Sequence, residues 1–274
     1  MAAVRSDTVV RDLMTRDLVT CSRDADLASV ASTMARRHVH AVFVLGEAGR
    51  PEGVLSDFDM LAGEWLGDDY EGLSTMKSVT AGELMTSPIE AIDADATLAA
   101  AAVCMRELHL SRLLVTDEQG AAVGVISVSD LVAPLGRERV GRRTVRDVMT
   151  YAIVTCTPET ALAAAARAMT ERRSRSIVVV GEGGQAVGVI TGNDLLTLYE
   201  STQPATTARE LMRRPITCDI DLPLRDAIDL IIRNEVHRVV VTDSSAADAA
   251  PAGILSTSDV IREMAQEGSV WQVG

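Results

Sequence analysis

Apolar residues recur at i, i+3, i+4 and i+7 in two distant parts of the chain: Leu27, Val30, Ala31 and Met34, then Leu224, Ala227, Ile228 and Ile231. That spacing lays one apolar stripe along a helix and predicts an amphipathic helix in each segment. LAAAAVCM (98–105) and LAAAARAM (162–169) carry the stripe in Ala-rich form, which favours close packing. After each helix comes a short aliphatic run: AVFVL, LLVT, IVVV or VVVT. Turn-like stretches such as DEQG and GEGG then lead to a glycine followed by two aliphatic residues. These phrases are GVLSDFD (53–59), GVISVSD (124–130), GVITGND (188–194) and GILSTSD (253–259). Their Ser/Thr-x-x-Asp step predicts the start of a second helix. The unit reads β-α-β-β-α, and the fold class is α+β.

Each unit opens with a related phrase: VVRDLMTRDLVTC (9–21), TAGELMTSPIEAI (80–92), TVRDVMTYAIVTC (144–156) and TARELMRRPITC (207–218). The leading methionines, Met14, Met85, Met149 and Met212, step by 71, 64 and 63 residues. The terminal aspartates, Asp59, Asp130, Asp194 and Asp259, step by 71, 64 and 65. Two separate landmarks thus give nearly one period, and the chain contains four repeats. Their expected spans are 9–63, 80–134, 144–199 and 207–264. A unit of this size buries little surface alone, so pairing is expected. An acidic stretch at 64–79 joins repeats one and two, and a basic stretch at 135–143 separates two and three. The economical division is two modules, 1–135 and 136–274.

Composition narrows the function. Hydrophobic residues make up 47% of the 274 residues but aromatics only 3%, so the core is aliphatic. No apolar run reaches the roughly 18–20 residues of a membrane helix, and no secretory signal is visible, which points to the cytoplasm. The net charge of −13 disfavours a broad nucleic-acid or anionic-membrane surface. Any anionic ligand needs a local cluster of positive charge. Cys21, Cys104, Cys156 and Cys218 form no zinc-ligand spacing. Three of them share one repeat position, where repeat two has Ile92, so that position reads as a small buried apolar site.

The LMTxxxxT opening, the HRVVVTD strand and the Gly-aliphatic-aliphatic-Ser/Thr-x-x-Asp phrase, in fixed order four times over, resemble the cystathionine-β-synthase (CBS) domain family. The resemblance implies domains paired into two Bateman modules, with a flat disc of four domains as the expected assembly. A homodimer is compatible with it. It further implies adenosine-containing ligands in interdomain clefts and regulation of another protein rather than catalysis. AMP, ADP and ATP are the foremost expected ligands, with S-adenosylmethionine or NAD as alternatives.

The repeated aspartates admit two readings. Ser/Thr-x-x-Asp is a helix cap in which the hydroxyl caps and the carboxylate faces the positive end of the helix. Such a carboxylate also accepts two hydrogen bonds from a ribose diol, and nearby hydroxyls and amides face phosphates. The second reading, strengthened by the resemblance, assigns ribose binding to Asp130 and Asp259 first, then Asp194 and Asp59. It assigns phosphate contacts to Ser127, Ser256, Thr191 and Ser56, and to Arg112, Arg238 and His237. Arg112 and Arg238 share one repeat position just before the central strand, where repeats one and three have Ala41 and Ser176. Arg36, Arg37, Arg172 and Arg173 fit helix C-terminal dipole partners equally well. In the family the adenine slot follows the opening Met, which implies Thr86, Pro88 and Ile89, and Pro215 and Ile216. The fourth opening is one residue shorter than the others, which sets its geometry apart.

GEGGQA (181–186) satisfies a dinucleotide-type pattern, but VGVI after it reads as a strand, so a hairpin turn is expected. No P-loop, HExxH or GxSxG element is present. The expected function is a non-enzymatic sensor acting on an unseen partner. Its rivals are a ligand-free assembly scaffold and a regulatory subunit of a separately encoded enzyme or transporter.

Overall fold

The four helices that carry the apolar stripe are Leu27–Arg37, Leu98–Glu107, Leu162–Glu171 and Leu224–Arg233. Asp26 caps the first by accepting from Ser29 N at 2.8 Å, and Thr97 caps the second by accepting from Ala100 N at 3.1 Å. Just beyond each helix, His38, His109, Arg173 and Glu235 adopt the left-handed conformation with φ of 49–55°. That turn stops the helix and sends the chain into the central strand. The computed structural model describes residues 8–62, 78–132, 143–196, 206–245 and 250–265. The linker at 64–79 lies outside them apart from Ser78 and Val79, and the linker at 135–143 apart from Arg143.

Each repeat builds one three-stranded sheet. The strands are β1 Thr20–Ser22, β2 Ala41–Leu45 and β3 Pro51–Ser56 in repeat one, and β4 Ala91–Asp93, β5 Arg112–Thr116 and β6 Ala122–Ser127 in repeat two. Repeat three has β7 Thr155–Cys156, β8 Ser176–Val180 and β9 Ala186–Thr191; repeat four has β10 Thr217–Asp219, β11 Arg238–Thr242 and β12 Pro251–Ser256. In every sheet the first strand pairs parallel with the second across the helix, and the second pairs antiparallel with the third. The expected β-α-β-β-α order and α+β class are what the chain adopts. GEGGQA is the turn between β8 and β9: Gly181 N donates to Gln185 O at 2.9 Å, and Gly184 supplies a φ of +82°.

Two compact units emerge. One contains residues 1–17, 90–152 and 216–274, with the sheets of repeats two and four; the other contains 18–89 and 153–215, with those of repeats one and three. In the first unit a single core joins Leu98, Ala101 and Met105 to Leu224, Ile228 and Ile231. In the second, Leu196 of repeat three completes the cluster around Leu27 and Met34, while Leu61 of repeat one completes the cluster around Leu162 and Met169. The Ala-rich helices bury Ala101, Ala102, Ala165 and Ala166, the small residues that permit close approach.

The openings do not stay with their own repeats. Thr15 exchanges two backbone hydrogen bonds with Val125 on β6, at 2.9 Å each. Thr86 does the same with Val54 on β3, Thr150 with Ile254 on β12, and Arg213 with Val189 on β9, all at 2.9–3.0 Å. The short turn before each threonine or arginine is fastened as well: Val10 N donates to Ala96 O, Ala81 N to Ala25 O, Val145 N to Leu222 O and Ala208 N to Thr160 O. Helix-start amides that lack an intrahelical acceptor are thereby satisfied by another repeat. This arrangement explains the glycine in each repeated phrase. A Cβ on Gly253 would lie 2.6 Å from Thr150 O, and one on Gly124 would lie 2.8 Å from Thr15 O.

Cys21, Cys156 and Cys218 lie on β1, β7 and β10, with Ile92 at the matching place on β4. Burial pushes the Cys21 thiol up to about 11; burial, aided by Asp219, does the same to Cys218. Among the described residues no group of His, Cys, Asp and Glu is placed to hold a metal, and no helix is long and apolar enough to cross a membrane.

Two expectations follow from this packing. Gly253→Ala forces a backbone oxygen to move and should cost about 1–3 kcal/mol in chemical denaturation, as over-packing does; an unchanged midpoint would refute the close approach. Cys21 and Cys218 should label slowly with a disulfide reagent at pH 8, because a rise of two units leaves ~100-fold less thiolate. Rapid labelling of both in the folded protein, read by peptide mass, would contradict the half-buried position of Cys21 and the buried one of Cys218.

Candidate functional site

The four repeated carboxylates share one local geometry. Ser127 donates to Asp130 Oδ2 through its backbone N at 2.8 Å and its hydroxyl at 2.6 Å. Ser56 holds Asp59, and Ser256 holds Asp259, at the same distances, and Thr191 holds Asp194 at 2.9 and 2.6 Å. The helices that follow are Asp57–Ala62, Val128–Val132, Gly192–Leu196 and Thr257–Met264. The carboxylate half of the cap is therefore realised four times, always on Oδ2, and the hydroxyl accepts back from the aspartate amide at Ser56, Thr191 and Ser256.

The second oxygen separates the sites. Oδ1 of Asp259 accepts from Thr150 Oγ1 at 2.9 Å and from Arg262 at 2.8 Å, and that side chain is almost fully buried. Oδ1 of Asp194, equally buried, is paired with Arg213 Nε at 2.5 Å. Asp59 and Asp130 are half-buried, and among the described residues neither has a partner on Oδ1.

Register brings the predicted cations to two of the four places. Arg112 opens β5 directly opposite Ser127, and Arg238 opens β11 directly opposite Ser256. Opposed residues of an antiparallel pair project to the same face, so each arginine shares a face with a capping serine. The corresponding pairs in the other unit are Ala41 with Ser56 and Ser176 with Thr191, which supply no cation. His237 Nδ1 lies 2.9 Å from Ser129 Oγ, so the residue before Arg238 meets the residue before Asp130. Arg112, Arg238, His237, Ser127, Ser256, Asp130 and Asp259 thus all belong to the unit built from repeats two and four.

The other unit has a different charge pattern. Where Val128 and Thr257 stand in repeats two and four, repeat one has Asp57, buried and 3.0 Å from His40 Nδ1. Repeat three has Gly192 there, where a Cβ would lie 3.2 Å from Asp57 Oδ2. Arg36, Arg37, Arg172 and Arg173 are exposed at the C-terminal ends of the stripe helices.

The adenine-slot residues are redistributed by the exchanged openings. Thr86 pairs with β3, so Thr86, Pro88 and Ile89 belong with Asp59 rather than with Asp130. Ser87 Oγ donates to Glu52 O at 2.9 Å, tying the same stretch to β3. Pro215 lies in the unit of Asp194, whereas Ile216 packs on the core of the other unit and accepts from Val240 N at 2.8 Å. Pro88 thus lies in the unit of Asp59 and Pro215 in the unit of Asp194, each apart from the aspartate of its own repeat. Thr15 stands beside β6 and Thr150 beside β12, the strands that lead to Asp130 and Asp259. The residue missing from the fourth opening lies between Arg213 and Ile216, since the equivalent carbonyls are four residues on in the other openings, at Val19, Glu90 and Val154.

Sequence reasoning missed Thr15, Thr150, Ser129, Arg262 and Arg213 as members of these sites. Arg213 carried a readable signal: it replaces the threonine at which Thr15, Thr86 and Thr150 stand in the other openings. The contact of Ser129 with His237 depends on tertiary packing and left no mark on the repeat, whereas Arg262 lies three residues beyond Asp259 on the same helix.

Comparison with known proteins agrees with this architecture. The family model described as CBS domain matches residues 10–63, 81–136, 145–201 and 208–266. An uncharacterized protein of Thermofilum pendens is 25% identical over 263 residues, covering 86% of this chain and 84% of its own length. An uncharacterized protein of Methanocaldococcus jannaschii is 22% identical over 254 residues, covering 88% of this chain, which spans only 58% of that relative. A crystal structure from the same organism, described as a suggested archaeal homolog of g-AMPK, has a TM-score of 0.81 at 18% identity, covering 93% of this chain and 99% of that one. At that identity the likeness concerns the fold. With four matched copies along most of its length, the chain belongs to the CBS domain family.

Proposed function

We propose that this protein is a non-catalytic sensor of adenosine-containing ligands, with its principal site at Asp130. The observation that carries this reading is the division of labour at that carboxylate. Oδ2 is fixed by Ser127, while Oδ1 is left without a protein partner among the described residues. A fixed carboxylate oxygen at a helix start is a ready acceptor for a ribose hydroxyl. Arg112 stands on the same face, opposite Ser127, as a partner for phosphate, and Ser129 with His237 adds polar groups from the same unit. These groups supply the local positive charge that a chain of net charge −13 needs to hold an anion.

AMP is the simplest ligand consistent with one arginine and a ribose acceptor, with ADP, ATP, NAD and S-adenosylmethionine as extensions of the same adenosyl core. The pairing of repeats into modules 1–135 and 136–274 is part of the proposal. Its support is that the openings of repeats one and two lie on each other's sheets, as do those of three and four. Because an opening and the sheet it joins come from different repeats, ligand held at Asp130 bears on how the repeats are held together. A differential affinity between two arrangements is what would pass occupancy to a partner protein.

The test is calorimetry with adenosine and AMP on the wild type and two variants, beside thermal shifts with the wider panel. Asp130→Ala should weaken both ligands at one site, with an apo-state cost of about 1 kcal/mol from loss of the cap. Arg112→Ala should weaken AMP by tenfold or more and leave adenosine nearly unchanged. A ligand present at 100 times its dissociation constant should stabilise the folded chain by about 2.7 kcal/mol. Absence of any shift or co-purified small molecule would favour the ligand-free scaffold. A cap-sized loss in Asp130→Ala with unaltered binding would remove the ribose role.

A further inference from the structure

The fourth opening departs from the other three at one position, and that position touches a candidate site. Thr15, Thr86 and Thr150 are replaced by Arg213, whose backbone keeps the same reciprocal pairing, here with Val189. The change adds a long cationic side chain to a place that elsewhere carries a hydroxyl. Its guanidinium Nε sits 2.5 Å from Asp194 Oδ1, the oxygen that is left without a partner at Asp59 and Asp130. Thr191 already occupies Oδ2 through both its amide and its hydroxyl. Both oxygens of Asp194 are therefore engaged, in a carboxylate whose side chain is only 4% exposed.

Resting on the nucleotide reading above, we propose that Arg213 is a built-in latch that closes the Asp194 site to ribose. A diol offers two neutral donors, whereas the guanidinium offers a charge-assisted bond to a buried carboxylate. Displacing it would exchange an ion pair for neutral hydrogen bonds, an unfavourable exchange at a buried position. The latch comes from the opening of repeat four and the carboxylate from repeat three, so the closure belongs to the exchanged arrangement rather than to one repeat. The position opposite Thr191 is Ser176, where repeats two and four have Arg112 and Arg238 opposite their serines. The four repeated aspartates are consequently not four equal sites.

The experiment restores the residue found in the other openings. Calorimetry with adenosine and with AMP is run on the full chain as wild type, Arg213→Thr, Arg213→Thr combined with Asp194→Ala, and Arg214→Thr as a neighbouring charge control. Arg213 is 72% exposed, so its replacement leaves the core untouched; Arg213→Gln, which keeps the length and removes the charge, provides a second opening variant. Arg213→Thr and Arg213→Gln should each gain one site per chain, or at least tenfold in affinity at a weak site. That gain should vanish when Asp194→Ala is added and be absent from Arg214→Thr. Binding by the wild type with no gain in either opening variant would overturn the latch and leave the sensor reading standing. Binding by none of the proteins would remove the sensor reading and the latch together.

Discussion

Reciprocal backbone hydrogen bonds between an opening and the glycine-bearing strand of another repeat constrain much of the rest of the molecule. Each bridge places the main chain of Thr15, Thr86, Thr150 or Arg213 hard against a strand that runs directly into a helix start. That approach excludes a side chain at Gly124 and Gly253, where a Cβ would meet a backbone oxygen. It also satisfies helix-start amides that would otherwise need water, since Val10, Ala81, Val145 and Ala208 each donate across to a carbonyl of another repeat. A repeat of this size has too little core to stand alone. Exchanging the openings lets Val10 and Val145, both fully buried, contribute to the core of the unit built from repeats two and four.

The same geometry divides the charges. Arg112 and Arg238 open β5 and β11 three residues after the left-handed His109 and Glu235, the spacing that the other two repeats share. In repeats one and three those strand starts carry Ala41 and Ser176, and the neighbouring polar group is the buried Asp57–His40 pair. One unit thus sets Arg112 and Arg238 opposite the capping serines, and the other has Asp57 beside His40 and Arg213 on Asp194. In a chain of net charge −13 an anion site would need such local segregation of cations. This is why the proposed phosphate contacts fall in the unit of repeats two and four.

What the sequence made legible follows from which interactions are local. The helix stripe from Leu27 to Met34, the strand runs and the Ser/Thr-x-x-Asp steps depend on neighbours within a few residues, and each lies where its period places it. The reading of GEGGQA as a turn rested on the strand after it and held for the same reason. The grouping of site residues was not legible in that way. Thr86 and Pro88 open the repeat that ends at Asp130, yet Thr86 pairs with the strand leading to Asp59, because the bridge that decides this reaches back 32 positions to Val54 of the preceding repeat. Periodicity reports which face of an element is buried and is silent on which repeat supplies the facing element. The Arg262 contact to Asp259 was accessible in principle, being three residues along one helix, but its competition with a ligand matters only once Oδ1 is known to be the remaining acceptor.

The apparent conflict between a capping and a ligand-binding aspartate dissolves when the two carboxylate oxygens are treated separately. Capping needs one acceptor for the serine or threonine at the strand end, and in all four repeats that acceptor is Oδ2. The cap therefore fixes the carboxylate plane without consuming Oδ1. Whatever meets Oδ1 then decides the character of the repeat: nothing from the described residues at Asp59 and Asp130, Thr150 with Arg262 at Asp259, and Arg213 at Asp194. A substitution at the opening can change that partner without disturbing the strand-to-helix junction, because the opening is held by its backbone. Helix capping thus constrains the aspartate to recur, while the side chain brought by another repeat is free to vary, and this separation lets one fold carry sites of different character.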